Sequence, residues 1–92
     1  MDNGSKAELS SIVSPSFESL VSSVYSAILL NLGEIKVKGA GEVSENLEIA
    51  KFNIGLLKML EEKTKGNLTE EEDSYLHGVI FNSMEKLREH SL

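Results

Sequence analysis

Leu47-Glu48-Ile49-Ala50-Lys51-Phe52-Asn53-Ile54-Gly55-Leu56-Leu57-Lys58-Met59-Leu60 is the stretch that decides the fold. Placed at helical steps, its apolar residues fall into two seams. Leu47, Ala50, Ile54 and Leu57 form one, at alternating three- and four-residue spacing. Ile49, Phe52, Leu56, Met59 and Leu60 form the other. Together the seams cover roughly 240° of the circumference, broken by Asn53. Only Glu48, Lys51, Gly55, Lys58 and Glu62 are left to face water. A helix this apolar must be covered from several sides. Its expected span is about Glu45 to Lys65, with Ser44 as cap and Gly66 as a left-handed stop.

Downstream, Gly66-Asn67-Leu68 leaves almost no connecting chain before a new helix signal. Thr69-x-x-Glu72 is a capping-box pattern, and Glu70, Glu71, Glu72 and Asp73 sit where a helix dipole favours anions. Leu76, Val79, Ile80, Met84 and Leu87 supply the core face of this third helix, which is expected to fray near Glu89. Phe81 lies well off that face. So short a link makes helices two and three antiparallel neighbours or a bent helix pair.

Upstream, Ser14-Pro15-Ser16 reads as a cap followed by a first-turn proline. The first helix should run from Pro15 to Leu32 and end at Gly33. Phe17, Leu20, Val21, Val24, Tyr25, Ala27, Ile28, Leu29 and Leu32 cover roughly 200° of it. Ser19, Ser22, Ser23 and Ser26 occupy the other side, either as a close-approach stripe or as a plain exposed face. Between this helix and the next, Glu34-Ile35-Lys36-Val37-Lys38 alternates, which suggests a short loop or a weak β-arm. Residues 1–14 are polar and aperiodic and read as a flexible tail. The expected fold is therefore all-α. Residues 15–92 form one domain of three antiparallel helices, about 15–32, 45–65 and 69–89.

Ninety-two residues make one domain with a small core. Chains of this size lean on disulfides, metals or partner chains. Cysteine is absent, and His77 and His90 are the only histidines, so a partner chain is the support left. The two seams and the off-face Phe81 offer more apolar surface than a three-helix bundle consumes. This predicts a homodimer that buries the excess. Leu20, Val24, Ile28, Ile49, Phe52, Leu56 and Phe81 are the candidate contacts with a second copy or another protein.

The net charge of −6 disfavours phosphate backbones and anionic membranes as partners. The longest apolar run, Ala27 to Leu32, is interrupted by Asn31 and falls far short of the roughly 20 residues of a membrane span. The first residues carry no secretion signal, which points to the cytoplasm. Catalytic constellations are also missing. No Gly-x-Ser-x-Gly elbow surrounds a serine, and Gly39-Ala40-Gly41 is too short for a phosphate loop. The acidic run 70–73 points around its helix instead of converging. His77 and His90 stand too far apart to chelate one ion, although His77 with Glu70, Asp73 or Glu85 is a weak candidate set. No metal, cofactor or enzymatic activity is expected.

One stretch is more specific. Glu61-Glu62-Lys63-Thr64-Lys65-Gly66-Asn67-Leu68-Thr69, followed by three Glu, resembles the hallmark of a bacterial family known as domain of unknown function 1844. Leu32-Gly33 resembles the end of that family's first half. Asn46-Leu47 with Ala50, Ile54, Leu57 and Leu60 resembles the helix leading into the hallmark. Leu76, Ile80 and Leu87-Arg88 echo its closing helix. The resemblance covers roughly Phe17 to Arg88. Family members often carry an acidic residue where this chain has Gly55, and a Pro and a Thr-Gly where it has Lys38 to Gly41. The resemblance implies a small helical protein and lends no activity. Read from its residues, the motif is a structural corner: Gly66, Asn67, Leu68, Thr69 and Glu72 each have a folding role. The leading functional expectation is a non-catalytic, homodimeric interaction module. The alternative is a small-molecule binder with an apolar pocket lined by Tyr25, Phe52, Leu56 and Met59.

Overall fold

The computed structural model describes residues 14–35 and 45–91. Among these, three helices pack each against the other two: α1 (Phe17–Asn31), α2 (Leu47–Lys63) and α3 (Glu70–Ser91). The expected tail through Val13 and the alternating segment beyond Ile35 lie outside the described residues.

Each helix boundary is set by a satisfied backbone group. α1 starts two residues later than Ser14-Pro15 suggests, because Ser16 is the cap. Its Oγ accepts from the Ser19 amide at 3.0 Å, while Ser19 Oγ accepts from the Ser16 amide at 3.0 Å. This is a reciprocal capping box with serine standing in for Glu or Gln. Pro15 precedes the cap. Gly33 ends the helix with φ +77°. Its amide donates to Leu30 and that of Glu34 to Leu29, closing the last carbonyls.

α2 begins at Leu47 because Asn46, not Ser44, caps it; Asn46 Oδ1 accepts from the Ile49 amide at 3.1 Å. The Asn46 amide in turn donates to the Asn31 carbonyl at 2.8 Å, which fixes the start of α2 against the end of α1. α2 stops at Lys63. Thr64 caps it and returns its hydroxyl to the Leu60 carbonyl at 2.6 Å. Gly66, at φ +84°, makes the turn that its position predicts. The predicted box at α3 is present: Glu72 accepts from the Thr69 amide at 2.8 Å, and Thr69 from that of Glu72 at 3.1 Å. α3 runs on through Ser91, past the fraying expected at Glu89.

These ties set α1 and α3 pointing one way and α2 the other. The core draws on all three helices: Val21, Ile28 and Leu32; Ala50, Ile54 and Leu57; Leu76, Val79 and Ile80. Leu47, Leu60, Leu68 and Leu87 pack around them. The inner seam of α2 is thus spent inside the chain, and Leu68 is the expected plug at the corner. Met84, assigned by periodicity to the core face of α3, is instead 44 % exposed. Ser83, one position before it, is fully enclosed.

Candidate functional site

Helical periodicity puts the two seams of α2 on different faces of the same element, and the structure treats them oppositely. The inner seam is enclosed. On the outer one Phe52 is 66 % exposed, Ile49 45 % and Met59 42 %, with Leu56 and Leu60 half-buried. Ile49, Phe52, Leu56 and Met59 follow three-four-three spacing, and Lys63 continues it by four. That is the a/d pattern by which one helix packs along another. Phe81 on α3, 64 % exposed, and Leu20 on α1 are also bare.

The candidate contact residues therefore divide. Leu20, Ile49, Phe52 and Phe81 stand exposed, and Leu56 is half-buried. Ile28 is fully enclosed in the chain's own core, and Val24 packs against that core. Both are used within the chain, because α1 turns the Val21–Ile28 side inward. Of the serine stripe, Ser22, Ser23 and Ser26 stand exposed in the chain.

Among the described residues, Tyr25, Phe52, Leu56 and Met59 are not brought together around a common pocket. Phe52 and Met59 point outward, and Tyr25 packs on the core. A groove of about 890 Å³ lies elsewhere, between α2 and α3. Its floor is Ile80 and Met84, and its walls are Lys58, Glu61, Glu62, Lys65, Asp73 and His77. His77 Nε2 is 2.6 Å from Glu61 Oε2, across the two helices. Its Nδ1 lies 2.9 Å from the Asp73 carbonyl and 3.4 Å from Asp73 Oδ2. The two carboxylates thus hold opposite nitrogens of one ring and do not converge on a point. Among the described residues no group of three or more His, Asp or Glu is placed to hold a metal. The geometry makes His77 a clasp between α2 and α3.

A second histidine clasp leaves no signal in the sequence. His90 Nε2 lies 2.9 Å from Glu34 Oε1, and its Nδ1 3.5 Å from Glu45 Oε2. Lys86 Nζ stands 3.7 Å from the same Glu34 oxygen. Hydrogen bonding to Glu34 raises the His90 pKa above its ordinary 6.5, against some desolvation and with help from the Glu45 charge. The same hydrogen bond lowers the Glu34 pKa below its ordinary 4.5, with Lys86 assisting. Sequence separation of 56 residues hides this contact; only the packing of α3 on the α1–α2 junction reveals it.

Among the described residues no helix is long and apolar enough to cross a membrane. The family model described as Domain of unknown function (DUF1844) matches residues 14–87. No curated protein and no solved structure matches the chain.

Proposed function

The chain belongs to the DUF1844 family, and on that footing we propose that it is a non-catalytic interaction module that binds protein through the outer face of α2. One observation carries this reading: an apolar seam with regular helix-packing spacing is left bare on an otherwise well-capped helix. Exposed apolar patches of this kind mark interaction surfaces in soluble proteins. Phe52 is the central anchor, since exposed aromatics carry much of the energy of protein interfaces. The module works in the cytoplasm under this reading, in keeping with a chain free of cysteine.

The test is native mass spectrometry of the chain purified from cells that express it, beside Phe52→Glu. Wild type should be recovered in a complex heavier than 10.1 kDa, and the variant as a folded single chain. Recovery of both as single chains, with equal hydrogen exchange along α2, would refute the reading.

A further inference from the structure

We infer that the occupant of the outer seam is a second copy of this chain, its α2 lying antiparallel to the first across a two-fold axis level with Ile54 and Gly55. The inference rests on the interaction-module reading and names its partner.

The spacing is self-complementary. Laid antiparallel, Ile49 meets the partner's Met59 and Phe52 meets the partner's Leu56, each contact occurring twice. Charge selects this direction. Glu48 stands in the first turn of α2 and Lys63 in its last. Glu48 is nearly fully exposed, with a loose 3.6 Å link to Lys51. Lys63, which continues the seam, makes no ion pair among the described residues. Antiparallel pairing brings Lys63 toward the partner's Glu48; parallel pairing would set like charge against like.

Area agrees. Phe52 presents roughly 130 Å² of ring surface, and the whole seam roughly 350 Å². A standard interface buries about 800 Å² per partner, a little over half of it apolar. The seam supplies most of that apolar share.

The experiment uses the purified full chain alone. Sedimentation equilibrium at tens of micromolar should give twice 10.1 kDa. Phe52→Glu, or Met59→Glu if the first fails to fold, should give a folded single chain, while Leu20→Glu stays paired. Direction is read from spin labels at Lys51→Cys and Glu62→Cys, on the polar strip away from the seam and clean because the chain has no other cysteine. Antiparallel pairing separates the labels along the axis by about 9 Å at position 51 and about 24 Å at position 62, at 1.5 Å per residue. Equal distances at the two positions overturn the arrangement. A single-chain mass for wild type overturns the second copy as occupant. In that case a heavier complex from cells still upholds the module with a different partner, and its absence sinks both.

Discussion

Two substitutions on one helix separate the two seams by energy. Leu57, on the inner seam, is fully enclosed, whereas Phe52, on the outer one, has about a third of its surface covered by the chain. Leu57→Ala should cost about 2–5 kcal/mol, the range for truncating an enclosed leucine. Phe→Ala in a core costs about 3–5 kcal/mol, so a third of that is roughly 1–1.5 kcal/mol. Alanine returns about 0.5 kcal/mol through its better helix propensity. Phe52→Ala should therefore lower the stability of the dilute chain by under about 1 kcal/mol. With a shift of roughly 4–8 °C per kcal/mol, Leu57→Ala moves the midpoint by tens of degrees and Phe52→Ala by a few.

The assay is urea and thermal unfolding followed by circular dichroism, at concentrations where the chain is single and again where it associates. Raising the concentration should leave the Leu57→Ala deficit in place and open a new one for Phe52→Ala. The two-thirds of Phe52 that the chain leaves bare are worth roughly 1–2 kcal/mol on burial in each copy, or about 2–4 kcal/mol for a symmetric pair. That corresponds to a dissociation constant weakened roughly 30- to 700-fold. A Phe52→Ala loss as large as that of Leu57→Ala in the dilute chain would show that the outer seam belongs to the core, and the division of α2 into an enclosed and a free seam would fail.

The remaining predictions concern the joints of the fold. His90 has a raised pKa, so its share of stability is complete below about 6.5 and is lost as pH rises through the folded value. Glu34 has a lowered pKa, so its share is present above about 4.5 and is lost as pH falls through the folded value. Stability from this clasp should peak between the two, and His90→Ala should flatten the alkaline limb of a stability–pH profile measured by urea titration. Ser83 is fully enclosed, and its hydroxyl has no hydrogen-bond partner among the described residues. Ser83→Ala should raise stability by about 1 kcal/mol by removing an unsatisfied polar group, read as a higher melting midpoint. Gly66→Ala places a Cβ at φ +84° and should cost about 1 kcal/mol or more from strain alone. Thr69→Ala removes the α3 cap and should cost about 1 kcal/mol, with amide exchange accelerated first at residues 70–73.

Periodicity makes the inner seam, the three helices and the corner legible, because each rests on local spacing that a sequence displays. The caps of α1 and α2 fall two residues from their expected positions, where several candidates stand together. Ser14, Ser16 and Ser19 compete at α1, and only the reciprocal Ser16–Ser19 bonds decide. Met84 and Ser83 lie beyond periodicity for another reason. Both sit near the edge of the α3 core face, and which one is enclosed depends on where α2 crosses it. The groove over Met84 stays open because α2 and the turn after it present Lys58, Glu61 and Lys65 there and no apolar residue. The His90 clasp joins residues far apart in sequence and leaves no local trace.

The corner accounts for why family membership leaves function open. Each residue that carries the hallmark and makes a contact makes a folding contact. Glu61 clasps His77, Thr64 closes on Leu60, Gly66 takes the left-handed turn and Asn67 donates to the Thr64 carbonyl. Leu68 plugs the core, and Thr69 and Glu72 cap α3. Those contacts specify how two helices meet and nothing about what they meet. Specificity must then sit on residues that the fold leaves free, and the outer face of α2, which Lys63 of the motif continues, is a regular set of these among the described residues.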